Sequence, residues 1–127
     1  MKALCVLVVD DDFMIATVLA DVLAGMGHEV CAIEGTEAGA VAAAVRCKPD
    51  LLIVDALLGD ESGVSAVEEI LRTRFIPHVF VSGDLSRLPP DRPGAAVLQK
   101  PFGEPDLARA LQRALAVGPV SRQDNRP

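Results

Sequence analysis

The chain has 127 residues and a formal net charge of -6, and this length suits one domain with one core. Half of the residues are apolar, but with four Phe and no Trp or Tyr the core must be aliphatic. The acidic balance and the lack of a basic run argue against nucleic-acid binding, and no apolar run is long enough to span a membrane.

Apolar runs alternate with segments of helical spacing in the first half of the chain. Residues 4–9 predict a strand buried on both faces, and residues 13–26 predict a helix that ends at Gly27. The apolar face of this helix comprises Ile15, Val18, Leu19, Val22, Leu23 and Met26. Residues 30–33 predict a second strand. Thr36 can cap a second helix, whose apolar face comprises Ala38, Val41, Ala42 and Val45.

The same alternation continues in the second half. Residues 51–54, 78–82 and 96–99 predict three more strands. A third helix is marked by Val64, Val67 and Leu71, and a last helix by Leu107, Ala110, Leu111, Ala114 and Leu115. Alternating strands and helices predict a parallel sheet that is covered on both faces.

The segment between the fourth and fifth strands is the least regular. Pro89, Pro90 and Pro93 each remove a backbone donor and disfavour helical conformation in the residue before them. We therefore predict a short or irregular fourth helix within residues 84–88, about one turn, followed by a mobile loop that becomes ordered when the protein switches.

Polar residues follow four of the five predicted strands. In an open parallel sheet, ligands bind at the carboxyl ends of the strands, so these residues should meet at one edge: Asp10-Asp11-Asp12, Asp55, Ser82-Gly83 and Gln99-Lys100. Clustered carboxylates favour a hard cation such as Mg²⁺, and a Lys and a Ser hydroxyl suit a phosphoryl ligand. Together they are the parts needed to form and hold an acyl phosphate. Asp12 is interpreted as a helix cap.

Cys5, Cys31 and Cys47 share no metal-ligand spacing and are odd in number. They are interpreted as small apolar residues in a reducing cytoplasm.

The sequence resembles the receiver domain of two-component response regulators over nearly its whole length. The resemblance depends on four motifs in order, each at a strand end: VLVVDDD at residues 6–12, DLLIVD at 50–55, VFVSG at 79–83 and LQKPF at 98–102. It implies a flavodoxin-like, doubly wound α/β fold with five parallel strands in the order 2-1-3-4-5. It also implies a receiver domain over residues 1–117 and leaves residues 118–127 as a polar, disordered tail.

The resemblance also implies the chemistry of the site. Asp55 would accept a phosphoryl group, and Mg²⁺ would be bound by Asp10, Asp11, Asp55 and the backbone carbonyl of Leu57. The donor would be a sensor histidine kinase or a histidine phosphotransfer protein in the cytoplasm. The domain would then be a signalling switch rather than an enzyme, with at most self-phosphorylation and self-dephosphorylation, and its downstream target is not specified.

Further roles come from the same resemblance. Ser82 would supply the switch hydroxyl, Lys100 would bind the phosphoryl group, and the peptide bond before Pro101 would be cis. Leu57 occupies a position that helps to govern hydrolysis of the phosphorylated state in the family. Asp84, an acidic residue two positions after Ser82, is a second candidate for tuning this hydrolysis, independent of the resemblance.

Three departures from the family pattern matter. Val97 stands where many members have an aromatic switch residue, Leu57 stands where a polar residue is frequent, and the segment before the last strand is rich in proline. The departures place the usual output surface in doubt, but not the phosphorylation site.

Two alternatives remain open from the sequence. A haloacid-dehalogenase-type phosphatase would use Asp10 and Asp12 as its acid pair, but it would leave Asp55 without a role. A degenerate receiver that acts only as an interaction module would not need the complete set of acid, hydroxyl and lysine.

Overall fold

The computed structural model describes residues 2–90 and 94–116. Its strands are β1 (Cys5–Val9), β2 (Glu29–Glu34), β3 (Leu51–Asp55), β4 (Leu57–Leu58), β5 (Glu61–Ser62), β6 (His78–Ser82) and β7 (Ala95–Gln99). Its helices are α1 (Phe13–Gly25), α2 (Glu37–Cys47), α3 (Gly63–Leu71) and α4 (Glu104–Leu115), with one 3₁₀ turn at Leu85–Arg87.

The five long strands form one parallel sheet in the order β2-β1-β3-β6-β7, while β4 and β5 form a separate antiparallel hairpin. Counted without the hairpin, this is the predicted order 2-1-3-4-5, which is confirmed. The hairpin follows β3 directly, so it lies beside the carboxyl edge of the sheet, where Asp55 is found.

Alternate residues of the buried strands face two separate cores. Val6, Val8, Leu51 and Ile53 pack in a cluster with residues of α1 and α4. The intervening residues Leu7, Val9, Leu52 and Val54 pack in a second cluster with residues of α2 and α3. Helices therefore cover both faces of the sheet, as the continuous apolar runs predict.

The predicted apolar faces of the first two helices are partly wrong. In α2 the buried residues are Ala40, Ala43 and Ala44, whereas Val45 is 63% exposed. Small side chains let this helix approach the sheet closely, and in an alanine-rich helix the period of the larger residues is a poor guide to the buried face. In α1, Ile15 and Val18 are also exposed, at 42% and 59%.

The helix caps follow the sequence closely. The Asp12 carboxylate accepts hydrogen bonds from the backbone N–H groups of Met14, at 3.1 Å, and Ile15, at 3.2 Å. The Thr36 hydroxyl accepts one from Gly39 at 3.0 Å, as predicted. After α1 the chain turns at Gly27, where φ is +94° and a side chain would strain the backbone.

The short fourth helix is confirmed as the 3₁₀ turn Leu85–Arg87, which is capped by Asp84. Residues 91–93 and the predicted tail, residues 118–127, lie outside the described residues, so the mobility of the loop stays a prediction. Within residues 2–90 and 94–116, no helix combines the length and the apolar character needed to cross a membrane.

Gly63 begins α3 directly against the end of β3. Its backbone N–H donates to the carbonyl of Ala56 at 2.9 Å, and a Cβ added to Gly63 would overlap the backbone carbonyl oxygen of Asp55. Because the obstacle is backbone rather than a flexible side chain, any larger residue must displace the strand end that presents Asp55.

We expect Gly63→Ala to lower the free energy of unfolding by about 1–3 kcal/mol, because an overpacked site forces the backbone to shift. Urea denaturation measures this loss. Gly25→Ala is the matched control, since a Cβ added to Gly25 has no neighbour within 4 Å. A Gly63→Ala protein as stable as the wild type would contradict the close approach.

Candidate functional site

Four strand ends bring polar side chains together at the carboxyl edge of the sheet. Asp10 follows β1, Asp55 ends β3, Ser82 ends β6 and Lys100 follows β7, and these strands are neighbours in that order. Backbone hydrogen bonds hold the edge together, including one from the N–H of Lys100 to the carbonyl of Ser82 at 2.9 Å. The structure thus places the predicted site residues along one edge.

An ion pair lies at the centre of this edge. The Lys100 ammonium is 2.7 Å from Oδ2 of Asp55, and the backbone N–H of Leu57 donates to Oδ1 of Asp55 at 3.0 Å. The Asp55 side chain is only 11% exposed, against 32% for that of Lys100. Both carboxylate oxygens of Asp55 therefore have a donor that fixes their direction.

Three carboxylates lie close enough to share one cation. Asp10, Asp11 and Asp55 each offer one oxygen, and these three oxygens lie within 4.8 Å of one another. Asp10 and Asp55 are buried, whereas Asp11 is exposed, so the cluster opens to solvent on one side. A set of carboxylate oxygens with room for water fits Mg²⁺.

The remaining predicted residues have clear places around the cluster. The Ser82 hydroxyl donates to the carbonyl of Asp84 at 3.1 Å and accepts from the Asp84 N–H at 3.0 Å. The Asp84 carboxylate accepts from the N–H and hydroxyl of Ser86 at 3.0 and 2.6 Å. The Leu57 side chain is 53% exposed, and the peptide bond between Lys100 and Pro101 is cis.

Comparison with known proteins agrees with this geometry. The response regulator receiver domain family matches residues 6–112. The chain belongs to this family. Receiver domains act in two-component signalling, are phosphorylated by histidine kinases and generally bind Mg²⁺ at an acidic pocket. The matches give no support to the phosphatase alternative.

Among curated proteins, the receiver domain is similar to the phyllosphere-induced regulator PhyR of Methylorubrum extorquens, with 33% identity over 87% of this chain and 43% of PhyR. It is 34% identical to the transcriptional regulatory protein PdtaR of Mycobacterium tuberculosis, over 87% of this chain and 56% of PdtaR. The chain thus spans about half the length of these relatives.

Among solved structures, the receiver domain is similar to the solution structure of the PhyR response regulator REC domain of Erythrobacter litoralis. The TM-score is 0.81, with 32% identity over 91% of this chain and 92% of that chain.

Burial and the neighbouring charges shift the pKa values of Asp10 and Lys100. Burial raises the pKa of Asp10; the charges of Asp55 and Asp11 add to this, while the N–H of Asp12 and the charge of Lys100 oppose it. For Lys100, burial is the largest single influence and lowers the pKa. The hydrogen bond and charge of Asp55, with the charges of Asp10 and Asp11, outweigh it and raise the pKa overall.

Sequence reasoning missed two glycines at the site. Gly63 allows α3 to start against the Asp55 carbonyl, and Gly59 turns the hairpin beside Asp11 with φ at +65°. A Cβ on Gly59 would lie 3.7 Å from Oδ2 of Asp11. The available signal was a pair of glycines within eight residues of Asp55, one of them directly after the helix-capping Ser62.

We expect Asp10→Asn to stabilise the metal-free receiver domain at neutral pH. A raised pKa means that the folded protein binds this proton more tightly than the unfolded chain does, so ionised Asp10 opposes folding. Asn removes the charge and keeps an oxygen that can accept the Asp12 N–H, which is 2.9 Å from Asp10 Oδ1.

Urea midpoints measured from neutral to acidic pH test this expectation. The advantage of Asp10→Asn should be complete above the raised pKa, should shrink as the pH falls through it, and should vanish below the ordinary value of 3.8. Asp21→Asn, an exposed change on α1, is the control. An advantage that is independent of pH would show that charge is not the cause.

Proposed function

We propose that Asp55 accepts a phosphoryl group from a phosphohistidine on a sensor histidine kinase or a histidine phosphotransfer protein, with Mg²⁺ as cofactor. The observation that carries this proposal is the 2.7 Å ion pair between Lys100 and Asp55, set beside Asp10 and Asp11. We place the reaction in the cytoplasm, as the sequence indicates. We propose no enzymatic activity for the receiver domain beyond self-phosphorylation and self-dephosphorylation.

Asp55 would act as the nucleophile. One of its carboxylate oxygens forms a bond to phosphorus while the bond between phosphorus and the histidine nitrogen of the donor breaks. The Leu57 N–H, which donates to Oδ1 at 3.0 Å, restricts rotation of the carboxylate. The domain then contributes alignment and charge more than covalent chemistry of its own.

Asp10, Asp11, Asp55 and the backbone carbonyl of Leu57 would hold Mg²⁺. When bound, the ion neutralises charge between these carboxylates and the phosphoryl oxygens. Lys100 would contribute a second cation, because its ammonium can move from the Asp55 carboxylate to a phosphoryl oxygen.

Ser82 would transmit the phosphorylation of Asp55 to the segment that begins at Asp84. Its hydroxyl bonds both backbone groups of Asp84 at 3.0 and 3.1 Å, so donation to a phosphoryl oxygen instead would break the bond to the Asp84 carbonyl. Asp84 caps the 3₁₀ turn that follows. This gives a route from site to surface that needs no aromatic residue at Val97.

The exposed apolar residues of α1 form a surface that a protein donor of the phosphoryl group could contact. Phe13, Met14 and Val18 on α1 are 69%, 77% and 59% exposed, and α1 begins two residues after Asp11. Exposed apolar side chains next to an active carboxylate favour a protein donor. The downstream target stays unassigned.

We expect Asp55→Asn to abolish phosphorylation by acetyl phosphate, because the amide is not a nucleophile for phosphorus. Chelation of Mg²⁺ should abolish it as well. Mass spectrometry of digested protein should place the label on Asp55 in the wild type, whereas a label on Asp10 would indicate the phosphatase alternative.

Asp60→Asn is the matched control, since Asp60 is exposed in the turn between β4 and β5 and should leave labelling unchanged. Normal labelling of Asp55→Asn would disprove the assignment. An unlabelled wild type in the presence of Mg²⁺, with both small-molecule and phosphohistidine donors, would favour the degenerate interaction module.

We expect Leu57→Asn to accelerate loss of the phosphoryl group several-fold, because an amide can orient an attacking water and an apolar side chain cannot. The measurement is the decay of phosphorylated protein after the donor is removed. Leu57→Met is the control, since it keeps an apolar side chain and the N–H bond to Asp55. Equal lifetimes for Asn and Met variants would show that this position does not limit hydrolysis. The sequence also assigns a tuning role to Asp84, and this role stays a prediction.

A further inference from the structure

Three cysteines that lie far apart in the sequence converge on one face of the sheet. Cys5 begins β1, Cys31 lies in β2 and Cys47 ends α2, and all three are half-buried free thiols. Cys31 packs on the side of the sheet that α2 covers. Its thiol has the thiols of Cys5 and Cys47 as neighbours, and Sγ of Cys47 is 3.9 Å from the Cys31 carbonyl oxygen.

Cys31 occupies an irregular position in the edge strand. Val6 pairs with Val30 and Leu7 pairs with Ala32, so the register of β1 and β2 skips Cys31. The extra residue bends the strand locally and aims its side chain out of the regular alternation. The Cys31 thiol donates to the carbonyl of Val6 at 3.4 Å and remains next to the end of α2.

We propose that this thiol cluster, Cys5, Cys31 and Cys47, is an oxidation site at which a hydroperoxide converts Cys31 and Cys47 to a disulfide. In the first step the Cys47 sulfur takes one peroxide oxygen, becomes a sulfenic acid and releases water or an alcohol. In the second step the Cys31 sulfur attacks the Cys47 sulfur. The S–S bond forms as the hydroxyl leaves with the Cys31 proton as water, so two thiols are oxidised and one peroxide is reduced.

The backbone decides which pair forms the bond. Cys5 is held on both sides, by β2 and by Asp50, whose carboxylate accepts the Cys5 N–H at 2.8 Å and whose N–H donates to the Cys5 carbonyl at 2.8 Å. Cys31 lies at a bulge of an edge strand, and Cys47 is the last residue of its helix. Disulfide geometry is strict, and these two residues can adjust to it with the least disturbance of hydrogen bonding.

The three cysteines do not have the geometry of a metal site. Among the described residues, Asp10, Asp11 and Asp55 are the group whose ligand atoms come close enough for one ion, and the three sulfurs do not. Burial, with the neighbouring thiols, raises the pKa of Cys31 well above its usual range. Cys31 therefore stays protonated and reacts slowly with the peroxide itself. It closes the bond because it lies beside the oxidised Cys47, and its proton leaves with the hydroxyl as water.

The test uses the full chain, reduced, freed of reductant and then exposed to hydrogen peroxide. Free thiols are alkylated under denaturing conditions, and the protein is digested with trypsin, which cuts after Arg46, and with a protease that cuts after Glu29. These cuts place the three cysteines on separate peptides. The expected result is loss of two of three thiols, with a reducible link between the Cys31 and Cys47 peptides.

Variants sharpen the result. Cys5→Ala should form the link as the wild type does, whereas Cys47→Ala and Cys31→Ala should form no intramolecular disulfide. Circular dichroism checks that each variant is folded. If a variant does not fold, the peptide map of the wild-type protein still tests the proposal. A link that contains Cys5, links only between two chains, or oxidation to sulfinic acid without any link would each overturn the proposal.

Discussion

Like-charge repulsion at the carboxyl edge of the sheet is the constraint on which the rest of the site depends. Oxygens of Asp10, Asp11 and Asp55 lie within 4.8 Å of one another, and two of these residues are buried. Such a cluster opposes folding unless cations offset it. Lys100 provides one positive charge at 2.7 Å from Asp55, which leaves the cluster with a net negative charge that favours a divalent cation. The arrangement that destabilises the metal-free fold is therefore the one that would favour Mg²⁺ and phosphoryl oxygens in the function that we propose.

The backbone around this edge is correspondingly fixed. Two hydrogen bonds join neighbouring strands at this edge, each at 2.9 Å. The Ala56 N–H donates to the Val81 carbonyl, and the Lys100 N–H donates to the Ser82 carbonyl. Gly63 lets α3 begin against the Asp55 carbonyl. In the function that we propose, a shift of an ångström would move the Asp55 carboxylate out of line with the phosphoryl group, so close packing behind Asp55 would serve alignment as well as stability.

The sequence predicts the strands and the strand-end residues well, because continuous apolar runs and charged strand ends are strong local signals. The order of the strands was implied by the resemblance to receiver domains and not by these local signals. It predicts the buried faces of α1 and α2 less well. Val45, Ile15 and Val18 are apolar but exposed, and which side of a helix faces the sheet depends on tertiary packing that no single helix encodes. Gly59 and Gly63 are visible in the sequence as a pair of glycines near Asp55, but their roles depend on a backbone turn and a close approach of backbone. The meeting of the three thiols depends on contacts between segments that are distant in the chain.

The proposed disulfide and the carboxylate cluster occupy different parts of the sheet. Cys31 lies between the β2 residues that pair with Val6 and Leu7, whereas Asp10 follows the end of β1. Because protonated thiols and a disulfide are both uncharged, oxidation of Cys31 and Cys47 leaves the charge balance around Asp55 unchanged. A mechanical connection does exist through α2, which ends at Cys47 and whose Glu37 N–H donates to the Glu61 carboxylate of the hairpin at 2.8 Å. A second connection runs along β2, which contains Cys31 and whose Glu34 carbonyl accepts the Asp10 N–H at 2.9 Å. Any influence of the proposed oxidation on phosphorylation therefore passes through displacement of α2 or β2, and not through charge.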